Sequence, residues 1–155
     1  MKIKNPIEFK QKVHLACVKL VQEQLDTIQS SLDQLMEAKT NETKSSAGDK
    51  YETGMAMIQN QEQLYKRQQV EARNRANVLK SIDPTIEKST IENGSLVKLS
   101  TGWFYIAVAI GGITVEDLDL FVISKQSPLG ALIKNKKAGD MIVLNQKEIN
   151  IESVH

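Results

Sequence analysis

The sequence predicts an α+β protein: an N-terminal antiparallel hairpin of two long helices, residues 1–83, then a small sheet domain, residues 84–155. Three observations support this prediction. In the first half, apolar residues recur at alternating steps of three and four, the spacing of a coiled-coil seam. After Asp83-Pro84 the pattern changes to short runs of β-branched residues punctuated by glycines. A short acidic loop, residues 45–54, separates the two helical patterns.

The first helical pattern is uninterrupted. No proline or glycine occurs from Ile7 to Ala47, and polar residues fill the faces beside the apolar seam. The seam positions are Val18, Val21, Leu25, Ile28, Leu32 and Leu35. This pattern predicts one helix from about Ile7 to about Asn41 that ends in a polar turn.

The second helical pattern starts after Asp49 and runs to Ile82, where Asp83-Pro84 ends it. Its seam is more polar than the first: Ile58, Gln61, Tyr65, Gln68, Ala72, Arg75, Leu79 and Ile82. Alone, such a helix is marginal, so we expect it to pair antiparallel with the first helix. At 1.5 Å per residue the hairpin is roughly 50 Å long, and it holds its loop at the far end.

The second half predicts a small antiparallel sheet with one short helix packed on it. Ser127 is placed to cap that helix, and Pro128 is its first residue. Lys136-Lys137-Ala138-Gly139-Asp140 then turns the chain into the penultimate strand. The predicted strands are 95–100, 103–110, 113–115, 120–124, 141–144 and 149–154.

Bulk composition excludes several classes of protein. The net charge is +1 over 155 residues, which gives no global attraction to nucleic acid or anionic lipid. The only cysteine, Cys17, forms no internal disulfide and fits a reducing compartment. No signal-peptide pattern and no apolar run long enough to span a bilayer is visible. The sequence therefore predicts a cytoplasmic protein.

The acidic loop has two explanations. Asp49 and Glu52 are three residues apart, which places both carboxylates on one side of a helix start. Such a pair resembles a capping box and suits the helix dipole. The same pair suits Mg²⁺, which prefers oxygen ligands and keeps several waters. Because two carboxylates do not form a tight site, a partner would supply the other ligands.

Two segments carry a family resemblance. The loop reads Gly48-Asp49-Lys50-Tyr51-Glu52-Thr53-Gly54, and the second half contains Ser127-Pro128-Leu129-Gly130-Ala131-Leu132 followed by Lys136-Lys137-Ala138-Gly139-Asp140. Over its whole length the chain resembles the Gre transcript-cleavage factors of bacterial RNA polymerase. Their tip carries a Gly-Asp-x-x-Glu-Asn-Ala type of segment, and their FKBP-like domain carries the second motif.

The resemblance implies a function in transcription elongation. In that family the hairpin enters the secondary channel of RNA polymerase, and the tip acids help to hold a second Mg²⁺ for cleavage of backtracked RNA. By position, Asp49 and Glu52 would be those acids, sharing Mg²⁺ with the polymerase near the RNA 3′ end. The protein would then be a cofactor of the polymerase and not an enzyme itself. Candidate polymerase-binding residues are Lys50, Tyr51, Ser127, Pro128, Lys136 and Lys137.

The tip departs from the family pattern at three positions. Tyr51 replaces the usual Ser before the Glu, and Thr53-Gly54 replaces Asn-Ala. Gly54 costs about 1 kcal/mol of helix propensity relative to Ala. These changes bear on cleavage more than on polymerase binding.

Other candidates have structural explanations. A basic strip on the second helix is interrupted by Glu62 and Glu71 and suits a solvated flank; it comprises Lys66, Arg67, Arg73, Arg75 and Lys80. His14 and Cys17 share a helix face but fall short of a zinc site. The aromatic residues Trp103, Phe104, Tyr105 and Phe121 loosely resemble the lining of a prolyl isomerase pocket, and core packing explains them better.

Four functional readings therefore remain open. The first is the cleavage factor, and the second is a channel-binding inhibitor or modulator without cleavage. The third is a prolyl isomerase or chaperone-like module built on residues 84–155. The fourth is an interaction protein that dimerises through the coiled coil.

Overall fold

The structure, a computed structural model, describes residues 3–45 and 48–155, and the side chains of residues 3–41 and 51–155. Two long helices precede six strands and one short helix, which confirms the predicted α+β class. The helices are α1 (Pro6–Ser45), α2 (Gly48–Lys80) and α3 (Pro128–Ile133). The strands are β1 (Leu96–Leu99), β2 (Gly102–Ile106), β3 (Gly111–Val115), β4 (Leu118–Ile123), β5 (Met141–Leu144) and β6 (Lys147–Val154).

The chain forms two compact units. One unit is Leu20–Ala76, and the other joins Met1–Lys19 with Asn77–His155. These units divide the chain by packing, whereas the boundary predicted at residue 84 marks the change from helix to strand. That boundary stays a prediction. No helix in the described ranges has an apolar stretch long enough to cross a membrane.

In the unit Leu20–Ala76, α1 and α2 run antiparallel. Three polar contacts link them in that order: Arg75 Nη2 to Gln24 Oε1 at 3.2 Å, Gln69 Nε2 to Gln29 Oε1 at 3.2 Å, and Lys39 Nζ to Glu62 Oε2 at 3.9 Å. The predicted hairpin of two helices is therefore present.

The seam of α2 differs from the predicted one. Gln61 and Gln68 are exposed, and the neighbouring Glu62 and Gln69 are half-buried instead. On α1, Val18 is 41% exposed, so it lies outside the seam. The sequence pattern is ambiguous here because the predicted seam residues of α2 and the neighbouring residues that replace them are all polar. Only the packing of α1 against α2 decides which of them are half-buried.

In the unit formed by residues 1–19 and 77–155, the six strands form one sheet in the order β3-β4-β2-β1-β6-β5. The sheet is mixed: β2 pairs with β4 in parallel, from Trp103–Leu120 to Ile106–Ile123. The expectation of a purely antiparallel sheet was wrong at this pair, because β3 lies at the sheet edge and β4 inserts beside β2. The predicted strand 103–110 ends at Ile106.

The main core lies between one sheet face and α3. Its buried members are Ile91, Val97, Leu99, Phe104, Ile106, Ile133, Ile142, Ile149 and Ile151. Strand alternation turns Tyr105 to the opposite face. There its hydroxyl lies 2.8 Å from His14 Nδ1 on α1. The start of α1 therefore packs on the second face of the sheet.

Candidate functional site

The predicted acidic loop is mostly helical. Helix α1 continues to Ser45 and α2 already begins at Gly48, so Asp49, Tyr51 and Glu52 belong to the first turns of α2. On these bounds Asp49 is the second helical residue and does not occupy the N-cap, which a capping box requires. Negative charge near this helix start is still favoured by the helix dipole.

The two acids lie on adjacent turns of α2. Residues three apart on a helix have Cβ atoms roughly 5–6 Å apart. The Glu52 side chain is exposed and has neither a hydrogen bond nor an ion pair with any residue whose side chain the structure describes. The side chains of Asp49 and Lys50 lie outside the described residues. The role of Glu52 as a metal ligand stays a prediction.

Helix α2 also contains two further tip residues, Tyr51 and Gly54. Tyr51 is half-buried, next to the exposed Glu52. Gly54 lies within the helix, which continues through it without interruption. The departure from the family pattern at Gly54 therefore leaves the helix intact.

Glu62 on α2 forms an ion pair within the hairpin. Its carboxylate accepts a hydrogen bond from Lys66 Nζ at 2.8 Å, and this bond lowers the pKa of Glu62. The Lys66 ammonium group is therefore already paired with Glu62 within the hairpin. Arg75 is half-buried and donates to Gln24. The residues of the predicted basic strip are thus not equally available to a nucleic acid.

The second predicted segment has a well-defined local structure. Ser127 caps α3, because its Oγ accepts from the Gly130 amide at 3.1 Å and donates to the Ser124 carbonyl at 2.7 Å. Pro128 is the first residue of the helix and is exposed. A Cβ on Gly130 would lie 2.0 Å from the Ser124 carbonyl oxygen, so only glycine fits there. The Ser-Pro-Leu-Gly sequence is therefore explained by local structure, and Pro128 remains accessible.

The two candidate lysines follow α3. The Lys136 carbonyl accepts from the Ile91 amide at 2.8 Å, and the Lys137 amide donates to Asp140 Oδ2 at 3.0 Å. The side chain of Lys136 is half-buried and that of Lys137 is exposed. Of the two, Lys137 is the more accessible to a partner.

An exposed aromatic ring was missed by sequence reasoning. Phe121 is 53% exposed and stacks on Phe104, with ring centroids 5.8 Å apart. Gly112 lies opposite Phe121 in the β3–β4 pair and leaves its ring open. The expectation that Phe121 packs in the core was wrong, because its neighbour on β3 is a glycine and has no side chain to cover the ring. The Gly111-Gly112 pair was the available signal.

A groove lies between the end of β4 and the segment that leads into β3. It has a volume of about 340 Å³ and is lined by Ala109, Ile110, Gly111, Val122, Ile123, Ser124 and Ser127. Ser127 thus connects the groove to the α3 cap. The predicted aromatic cluster does not line one pocket, because strand alternation puts Phe104 and Tyr105 on opposite faces of the sheet. This division argues against the prolyl isomerase reading.

Three buried polar residues lie near the start of α1. His14, whose pKa is lowered by burial, shares a hydrogen bond with the Tyr105 hydroxyl. Burial raises the pKa of Cys17 to about 12, so its thiol stays protonated and unreactive. Lys10 is fully buried and donates to the Ile86 carbonyl at 2.6 Å. Among the described residues no group of three or more His, Cys, Asp or Glu could hold a metal ion.

Comparison with known proteins gives a weak structural likeness. A solved structure titled "Structure of the transcription factor Gfh1" is similar to the chain at 16% identity and a TM-score of 0.37. The match covers 90% of this chain and 94% of that one. A likeness of this size carries no argument about function. No protein-family model and no curated protein matches the chain.

Proposed function

We propose that the protein regulates transcription elongation by binding RNA polymerase through its secondary channel. Its tip would stimulate cleavage of backtracked nascent RNA. The observation that carries this proposal is the position of the tip acids: Asp49 and Glu52 lie in the first turns of α2, where the two-helix hairpin ends. The exposed Glu52 side chain adds to this support.

The proposed chemistry uses Asp49 and Glu52 as incomplete Mg²⁺ ligands. Mg²⁺ takes carboxylate oxygens and retains several waters. In phosphoryl chemistry with two metals, the ions activate the attacking water and stabilise the leaving oxygen. Two carboxylates on a helix bind such an ion weakly, so the polymerase would supply the remaining ligands. In this proposal the protein assists the polymerase and is not an enzyme by itself.

The hairpin is suited to presenting the tip. Between Leu20 and Ser45, α1 is uninterrupted, which corresponds to roughly 40 Å of helix at 1.5 Å per residue. Antiparallel pairing with α2 stiffens that length. Lys50 and Tyr51, which directly precede Glu52 on α2, would meet the polymerase or the RNA 3′ end.

A cleavage assay on a backtracked polymerase complex tests the proposal. We expect wild type to release 3′ RNA fragments, and Asp49→Ala/Glu52→Ala to release none above the background rate. Glu37→Ala is the matched control, because Glu37 is an exposed acid elsewhere on the hairpin. Equal release by wild type and the double variant would contradict the catalytic role.

A second candidate function is a channel-binding modulator without cleavage. The replacement of Asn-Ala by Thr53-Gly54 favours it, because the residues beside Glu52 then differ from those of the cleavage factors. It predicts that the protein displaces a Gre factor from polymerase and shortens no transcript. The same assay, combined with a competition measurement, separates the two functions.

We further propose that the side chains of Phe121 and Pro128 contact the polymerase. Both side chains are exposed, which supports the proposal. Phe121→Ser should weaken polymerase binding and leave the thermal unfolding temperature nearly unchanged, because the ring is half-exposed. Ile86→Ser serves as the control, since Ile86 is 49% exposed and lies away from the strands. Equal weakening by both variants would show a non-specific effect.

A further inference from the structure

Strand β5 is an unusual edge. It lies at one end of the six-stranded sheet, next to β6 alone. Its sequence, Met-Ile-Val-Leu, contains no charge and no proline, which are the residues that commonly protect an edge from pairing. Met141 is 49% exposed and Val143 is 54% exposed, while Ile142 between them is buried. The edge therefore presents apolar side chains together with unpaired backbone groups.

The hairpin register shows which backbone groups point outward. Asn145 and Gln146 form a two-residue turn with positive φ, so Leu144 and Lys147 are the hydrogen-bonded pair that closes it. Alternation then directs the amide and carbonyl of Ile142 toward β6. Those of Met141 and Val143 point away from the sheet.

We propose that two copies of the chain pair antiparallel through β5. A two-fold axis at Ile142 places Met141 of each copy opposite Val143 of the other. Because Met141 and Val143 both present outward backbone groups, each such pair exchanges two hydrogen bonds. Their half-exposed side chains then cover one another. On the opposite face, Ile142 is already buried within its own copy, so the side-chain contact of the interface comes from Met141 and Val143.

Charge complementarity supports a second copy of the chain as the partner that pairs with β5. In this register Asp140 lies opposite Leu144 of the second copy, and Leu144 is paired with Lys147. Asp140 and Lys147 of the second copy are then two strands apart on one face, about 10 Å between Cα atoms. This separation is within the combined reach of the two side chains, and symmetry forms the pair twice. Glu148 shares a row with Asn150 of the second copy, so no like charges meet.

The other sheet edge lacks this self-complementarity. In β3 the outward backbone groups belong to Gly112 and Thr114, because Val115 and Leu118 close the turn at Glu116-Asp117. Neither side chain is apolar enough to cover a second copy. Thr114 on β3 therefore provides a matched control position.

The expected association is weak. Pairing of two four-residue strands buries less than the roughly 1,000 Å² of a stable interface. We therefore expect a reversible dimer whose population rises with protein concentration.

Sedimentation velocity over a wide concentration range tests the proposal. The weight-average sedimentation coefficient of wild type should rise with concentration. Val143→Lys should stay monomeric, and Thr114→Lys should associate as wild type does. Circular dichroism checks that both variants fold. A wild type that is monomeric throughout, or equal association of both variants, would overturn the proposal.

A cross-linking measurement tests the register itself. Met141 of one copy and Val143 of the other would form a hydrogen-bonded antiparallel pair, with Cα atoms about 5.5 Å apart, a distance that a disulfide accepts. Met141→Cys/Val143→Cys should therefore give an oxidised dimer, and Thr114→Cys should not. The native Cys17 is fully buried and does not interfere. Equal cross-linking of the two variants would contradict the proposed pairing.

Discussion

The hairpin unit and the sheet unit are stabilised differently. In the hairpin, residues 20–76, the buried apolar residues among the described side chains are Val21, Leu35, Ile58 and Ala72. Polar contacts such as that of Gln69 with Gln29 also link the two helices. The sheet unit instead has a contiguous core that includes Leu99, Phe104 and Ile106, each less than a tenth exposed. The difference shows how one chain combines a strongly packed unit with a lightly packed one.

The largest expected effect is the difference in stability lost when one leucine in each unit is replaced by alanine. Leu99 is fully buried in the sheet core, and Leu32 is half-buried in the hairpin seam. Leu99→Ala should lower the free energy of unfolding by about 2–5 kcal/mol. Leu32→Ala should cost about 1 kcal/mol because it removes less buried surface. Chemical denaturation followed by circular dichroism measures both. Equal costs would mean that the hairpin is packed as strongly as the sheet.

A smaller effect concerns the stability of the tip. Gly54→Ala should stabilise α2 by about 1 kcal/mol, because alanine loses less backbone entropy in a helix. Slower amide hydrogen exchange in the first turns of α2 is the measurement, and amides of the sheet should not change. Ala56→Gly, at an exposed position two residues further along the helix, should have the opposite effect. Identical exchange in both variants would show that the first turns are not limited by helix propensity.

The smallest expected effect is a dependence of sheet-unit stability on pH. Burial lowers the pKa of His14 in the folded protein, against the opposing effect of a hydrogen bond to the Leu79 backbone and of Asp83. The neutral imidazole is thus the form that folding favours. Its contribution is complete above the unfolded pKa of about 6.5 and is lost as the pH falls from there toward the lower folded value.

Urea midpoints measured across this pH range test the His14 prediction. His14→Gln should be less stable at neutral pH, since it disturbs the contact with Tyr105, and should show a flatter profile below pH 6.5. The carboxylates titrate in both proteins and cancel in the difference. Parallel profiles for wild type and variant would show that His14 does not titrate with folding.

Local sequence signals predicted several elements closely. The run Met141–Leu144 is the strand that was predicted. The Ser127 cap and Pro128 at the start of α3 are also confirmed. These features depend on interactions within a few residues, such as the hydroxyl of Ser127 with the Gly130 amide. Contacts this local do not require knowledge of the rest of the fold.

Features that depend on distant neighbours were predicted less well. The parallel pairing of β2 with β4 joins Phe104 and Phe121, which are far apart in the chain. The exposure of Phe121 follows from the place of β4 in the sheet order. For the candidate site, the sequence placed Asp49 and Glu52 between the two helices. The structure adds that both belong to the first turns of α2 and that Glu52 is exposed.

The sequence by itself determined the type and order of the elements, because hydrophobic period, capping residues and Gly or Pro breaks act over short stretches of chain. Only the tertiary structure decided that Glu62 and Gln69 lie nearer the hairpin seam than Gln61 and Gln68, and which aromatic rings are covered. The physical reason is that burial is a property of two surfaces in contact. A side chain such as Phe121 is apolar whether or not another element covers it, and its sequence neighbours do not specify which outcome occurs.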